Sequence, residues 1–293
     1  METTHSPVSL RARAEAESGA LPALLLSAER LAATVLMGVH GRRRAGPGEA
    51  FWQYRAAQPG DSLRAIDWRQ SGRSDGHYVR ETEWQAAQTL MLWLDDAASM
   101  GFAGGDRPSK LRRAQTLALA LAVIAVRGGE RAGLARWSEP PRGGRAQVMR
   151  IAEGLLERAE DGDYGAPKPA LMPMGARAVF LSDFLGPVDA LTLAMTSAAD
   201  RGVRGVLVQV LDPEEEAFPY DGRTVFESMS GAVRFETLKA GRLKSDYLAR
   251  LAARRAELGE LCARTGWQML VHHTDVPPAR VLLSLYSRLE RGR

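Results

Sequence analysis

A chain of 293 residues, 45% hydrophobic and 25% charged, suits one large domain or two modest ones and can build a core without covalent staples. Its single cysteine, Cys262, excludes a disulfide framework and any cysteine-based zinc site. The pI is near 9.4, but 35 acids stand almost one for one against 39 basic residues and no RNA-binding aromatic motif is present, so nucleic acid is not an expected partner.

Residues 1–19 are polar and read as a frayed start. They hold no apolar run where a signal peptide needs one, and the longest apolar stretches, "LPALLL" and "LALALAVIAV", fall short of a membrane span. No span is expected, and the expected location is cytoplasmic. From Leu21 to about His40 the apolar spacing predicts a helix, which "GRRRAGPGEA" then breaks. Residues 51–86 carry Trp52, Trp68 and Trp84 and sustain neither a helical nor a strand period. They read as an extended arm, so 20–86 is expected to be a helix plus an arm packed on a sheet domain formed by 87–293. Within the arm, Ile66 and Trp68 are expected to anchor the segment, with Arg64 and Asp67 fixing its turns.

From Gln88 onward strands and helices alternate. "TLMLWLD" is a buried strand, "KLRRAQTLALALAVIAVRGG" an apolar helix with a Gly-Gly stop, and "RAGLARW" a short strand. "RAQVMRIAEGLLERAE" is an amphipathic helix, "ARAVFLSDF" a second buried strand, "VDALTLAMTSAADRG" a helix and "VRGVLVQVLD" a third buried strand. "PEEEAFPYDGRTVFESMSGAVRFETL" carries two turn signals and reads as a hairpin insertion. A helix over 242–265, the strand "WQMLVHH" and a closing helix "PPARVLLSLYSRLE" complete the pattern. Apolar strands separated by helices predict an α/β fold: a three-layer, doubly wound, mainly parallel sheet whose ligands sit beyond the strands' carboxyl ends. Asp95 and Asp183 then share one edge.

The chemistry-bearing motifs are few. "GFAGGDRPSKL" lacks the spacing of a phosphate-binding loop, and no G-x-S-x-G elbow or H-E-x-x-H pair occurs. His272 and His273 are adjacent on a strand and point to opposite faces, so they do not ligate one metal together. What remains is Asp95 and Ser99 in "LDDAASM" with Asp183 in "FLSDF". These are hard oxygen donors suited to magnesium or manganese. The same acids would also satisfy backbone amides and cap the turns that follow them.

An Asp-x-Ser-x-Ser loop after a first strand, with an acid after a later one, resembles the metal-ion-dependent adhesion site of von Willebrand factor A domains. The blocks "GEAFWQYR", "PGDSLRAIDWRQSGR", "YVRETEW", "VLDPEEEAFPYDGRTVFE" and "HHTDVPPARVLLSL" resemble, in order over roughly residues 30–290, the family catalogued as domain of unknown function 58. This resemblance implies a von Willebrand A-like, Rossmann-like sheet domain. It implies a non-enzymatic protein-binding or scaffold module working beside a MoxR-like AAA ATPase in complex assembly or stress response. It also implies a metal set of Asp95, Ser99 and Asp183 for magnesium or manganese.

That set is incomplete. Ala97 stands where the first serine belongs, and "SEPPRGGRAQ" supplies no threonine but brings Arg142 and Arg145. An arginine paired with Asp95 or Asp183 is therefore expected as an alternative to the cation. Ala57 replaces an aromatic residue of the family pattern in the arm. A second functional expectation is a magnesium- or manganese-dependent hydrolase of phosphate esters, with Asp95 as ligand or nucleophile.

Overall fold

The computed structural model describes residues 7–39, 51–58, 66–72, 76–82, 88–158, 162–168, 172–231 and 234–291. The chain forms two compact units, one of residues 1–39 and 88–293, the other of residues 40–87. The helix and the arm expected together over 20–86 thus belong to different units.

The first element is helix α1 (Pro7–Val39), which begins well inside the stretch expected to be frayed. In the smaller unit, β1 (Phe51–Ala56) pairs antiparallel with β2 (Tyr78–Thr82), and a single turn of helix, α2 (Trp68–Ser71), lies between them. Asp67 fixes this turn as expected. Its carboxylate accepts the Arg69 amide at 3.1 Å, and its carbonyl accepts the Ser71 hydroxyl at 2.8 Å. Trp68 is 59% exposed and meets the His77 ring edge-on at 5.6 Å. The spacing of "AIDW" sets the turn, and the turn then carries the indole outward. Arg64 and Trp84 lie outside the described residues.

The larger unit continues with β3 (Thr89–Leu94), α3 (Lys110–Arg127), β4 (Arg131–Leu134), α4 (Arg145–Leu156), β5 (Arg177–Ser182), α5 (Asp189–Asp200) and β6 (Arg204–Leu211). A short helix α6 (Pro213–Ala217) and the antiparallel hairpin β7 (Thr224–Glu227) and β8 (Arg234–Thr237) follow, then α7 (Lys244–Thr265), β9 (Gln268–His273) and α8 (Pro278–Arg291). The sheet order is β4-β3-β5-β6-β9, and every neighbouring pair is parallel. This is the α/β, doubly wound arrangement expected. The strand order reverses between β3 and β5, where the strands feed crossovers on opposite faces.

The alternation of a strand's side chains separates two cores. Leu90, Leu92, Val179, Leu181, Val206 and Val208 face a layer that includes α3, α4 and α8. Met91, Trp93, Ala178, Phe180 and Leu207 face the layer that includes α5 and α7. Helix α1 joins the first layer through Leu24, Ala28, Leu31, Ala32 and Val35, a stripe at helical spacing. One expectation needs correcting here. Residues 20–37 are long and apolar enough, by length and composition alone, to cross a membrane, because alanines and scattered leucines extend "LPALLL" beyond its visible run. Of that window 28% is buried, through the stripe that packs on the first layer.

Gly205 marks a tight point in the sheet. A Cβ there would lie 2.6 Å from the Ala178 carbonyl oxygen and 2.7 Å from the Trp267 ring. Gly205→Ala is expected to destabilise the protein by about 1–3 kcal/mol, the usual cost of overpacking, as measured by urea unfolding. An unchanged midpoint would mean that Trp267 yields freely.

Candidate functional site

The crossing point between β3 and β5 is built from the residues that follow those strands. Asp95 continues the β3 ladder by donating its amide to the Leu181 carbonyl at 2.9 Å. Its carboxylate is buried. One oxygen accepts the Ala97 amide at 3.0 Å, and the other accepts the Ser182 hydroxyl at 2.6 Å. Burial raises the Asp95 pKa, and those two hydrogen bonds only partly oppose it. Asp96 points the other way, as strand alternation requires, and pairs with Arg136 at 3.1 Å. Ala98–Gly101 form a 3-10 turn, and Ser99 lies on it. The Ser99 amide donates to Asp163 at 2.8 Å, while its buried hydroxyl has no hydrogen-bond partner.

On the neighbouring strand, Ser182 and Asp183 hold the next turn. The Ser182 hydroxyl accepts the Phe184 amide at 2.9 Å, and Asp183 accepts the Leu185 amide at 3.1 Å. Between them Phe184 adopts φ 52°, a left-handed conformation rare for a residue with a Cβ. Such a residue costs of order 1–3 kcal/mol and persists where its surroundings over-determine it. Here two side chains hold its amide and the next, and its ring packs 6.3 Å from Trp93.

The partner of Asp183 is a lysine. Lys110 Nζ lies 2.8 Å from the Asp183 carboxylate and 2.6 Å from that of Glu215, and the lysine side chain is 1% exposed. Burial opposes its charge, but the two carboxylates outweigh that and raise its pKa. On Glu215 the balance is reversed: burial raises the pKa despite Lys110. Glu215 also closes a capping box at the start of α6, accepting the Asp212 amide at 2.8 Å.

Asp212, fully buried, accepts from the Arg107 guanidinium at 2.8 and 3.0 Å, from the Thr274 hydroxyl at 2.7 Å, and from the amides of Gly104 and Glu214. Burial would push its carboxyl up. The Arg107 pairing and the other donors overcome that and hold it far below the usual carboxylate range. Arg113 completes the row, donating to the carbonyls of Thr274 and Val276 at 2.6 and 2.7 Å.

Asp95, Ser99 and Asp183 therefore lie on one edge, and the carboxylates of Asp95 and Asp183 have protein partners while the Ser99 hydroxyl has none. The expected arginine substitution is corrected: it is Lys110, not an arginine, that sits on Asp183. Asp95 is held by neutral donors, and Arg142 instead forms a lone antiparallel bridge with Ala132. The donor set does not fit a divalent cation. Asp183 already binds an ammonium, Ala97 offers no oxygen from its side chain, and no group of three or more His, Cys, Asp or Glu among the described residues is arranged to hold a metal.

Sequence reading missed Lys110, Glu215 and Asp212. Two signals were present. "DPEE" after a strand is a capping box in sequence, and a lysine at the first position of a helix opposes the helix dipole, so it needs carboxylates nearby.

The sequence matches a family described as "Protein of unknown function DUF58" over residues 53–257. Uncharacterized proteins of Mycobacterium bovis and of two strains of Mycobacterium tuberculosis are 30% identical over 275 residues, covering 88% of this chain and 85% of each relative. The chain belongs to the DUF58 family. Among solved structures, the conserved hypothetical protein BatB from Bacteroides thetaiotaomicron aligns over 70% of this chain and 100% of its own length, at 12% identity and a TM-score of 0.40. In this DUF58 chain the matched region contains the whole crossing point, from Asp95 through Lys110 and Asp183 to Glu215.

The histidine pair divides as strand alternation predicts. His272 is buried, and burial together with Arg113 and His273 lowers its pKa to about 4, so it is neutral near pH 7. His273 lies 2.8 Å from Glu216. Between pH 6.5 and 4 the unfolded chain binds a proton that folded His272 refuses. Stability from this group is therefore complete above about pH 6.5 and falls by up to about 3 kcal/mol as pH drops to 4. His272→Asn is expected to flatten that part of the stability profile in chemical denaturation at stepped pH. An identical slope in the variant would contradict the assignment.

Proposed function

We propose that this DUF58 chain is a non-enzymatic protein-binding module that works with a MoxR-like AAA ATPase. The ATPase partner comes from the sequence resemblance. The observation that carries the binding reading is the hairpin beside the crossing point. Val225, Met229, Phe235 and Leu238 are exposed there, the last at 72%. Val225 stands opposite Glu236 and Phe235 opposite Phe226, so the short ribbon exposes apolar side chains on both of its faces, and exposed apolar surface of this kind is available to a partner.

The hairpin is tied to the strand edge. The Ser230 amide at its tip donates to the Asp163 carboxylate at 2.9 Å, and the Asp163 carbonyl accepts the Ser99 amide. A partner engaging the hairpin therefore touches an element continuous with the adhesion-type loop.

The chemistry of the edge supports binding over catalysis. Asp95, Asp183, Asp212 and Glu215 all accept internal hydrogen bonds, and a carboxylate so occupied is neither a poised base nor a free nucleophile. Of two small hollows, one lined by residues including Leu92, Asp96 and Arg136 and the other by residues including Trp93, Pro167 and Phe184, neither includes Asp95, Ser99 or Asp183.

The test is association with a MoxR-like ATPase from the same cell, with and without ATP and magnesium. Binding is expected, and Phe235→Ser with Leu238→Ser is expected to weaken it at least about tenfold, as loss of central apolar anchors does. Absence of association in both nucleotide conditions would overturn the partner assignment. Magnesium-dependent turnover of a generic phosphate ester, lost in Asp95→Ala, would replace the binding reading with the hydrolase one.

A further inference from the structure

We infer that the Lys110 ammonium is the resident cation of this strand edge, standing in for a divalent metal and making the adhesion-type site independent of one. The inference concerns the edge itself and holds whatever partner docks on the hairpin.

Three observations carry it. Lys110 is almost completely buried, yet its charged end makes short contacts to two carboxylates from different strands, Asp183 after β5 and Glu215 after β6. A lone buried ammonium or a lone buried carboxylate pair is costly, so the groups exist charged only together. The lysine also occupies the first position of α3, where the helix dipole disfavours a cation, and its amide is fixed to the Phe102 carbonyl at 3.1 Å. Its placement is therefore set by the acids.

The oxygen donors a metal would want have also been withdrawn. Ala97 is buried against the turn without a hydroxyl, and Asp95 spends its oxygens on Ser182 and the Ala97 amide. Of the side chains of Asp95, Ser99 and Asp183, the Ser99 hydroxyl alone has no hydrogen-bond partner. A metal approaching Asp183 meets a fixed positive charge hydrogen-bonded to one of its oxygens. One monovalent cation carried by the chain thus does locally what a dissociable divalent one would do, with the entropy of capture met in folding.

The experiment is a manganese titration of the full-length protein followed by electron paramagnetic resonance, in which bound manganese loses the free-ion signal. Wild type is expected to show no saturable site and the same thermal midpoint in excess magnesium as in chelator. Lys110→Met, which keeps an unbranched side chain one atom shorter and removes its charge, is expected to have a lowered midpoint and to gain one saturable manganese site. That site should disappear again in Lys110→Met with Asp183→Asn. A saturable site in wild type that is lost in Asp95→Ala overturns the inference, as does a folded Lys110→Met protein that gains no manganese binding. Should Lys110→Met not fold, the wild-type titration decides alone.

Discussion

The upper edge of the sheet depends on the contact of Lys110 with Asp183 and Glu215. Parallel strands end by directing polar backbone and side chains toward one edge, and here that edge gathers Asp95, Asp183, Asp212 and Glu215 within a largely buried layer. Uncompensated, such acids would repel one another. The chain answers with cations spaced three residues apart at the entrance to α3. Arg107 takes Asp212, Lys110 takes Asp183 and Glu215, and Arg113 takes the carbonyls of Thr274 and Val276 after β9. One helix start is thereby keyed to the ends of β5, β6 and β9. Breaking a buried pair of this kind by removing one partner typically costs about 3–5 kcal/mol.

This arrangement leaves the carboxylates of the edge neutralised by cations of the chain itself. The fold places Asp95 and Asp183 on either side of the point where strand order reverses, the position at which open α/β sheets offer a crevice. Phe184 holds a strained left-handed turn to present Asp183 there. Yet what is presented is bound from within. The exposed surface next to it belongs to the β7–β8 hairpin, whose tip is fastened through Asp163 to the turn carrying Ser99.

Much of this was legible in the sequence. The buried strands announce themselves as apolar runs bounded by glycine and acids, and the acids at 95 and 183 follow from the same reading. The hairpin is visible in Asp221-Gly222 and Ser230-Gly231. Strand order is a different matter, since periodicity reports which face of an element is buried and not which neighbour it meets. The role of Lys110 was hidden for the same reason: its partners lie 73 and 105 residues away. In one dimension it stands in a glycine-rich loop that invites comparison with phosphate binding. Helix α1 starts earlier than its spacing suggests because residues 7–20 mix arginines, glutamates and serines among their apolar residues, and its apolar stripe is narrow, built partly from Ala28 and Ala32.

The most direct check of the account is a high-resolution crystal structure grown in excess manganese, with anomalous scattering recorded at the manganese edge. Ammonium density is expected within hydrogen-bond distance of both Asp183 and Glu215, with no anomalous peak between Asp95 and Asp183. A manganese peak ligated by Asp95, Ser99 or Asp183, with Lys110 turned away, would contradict it.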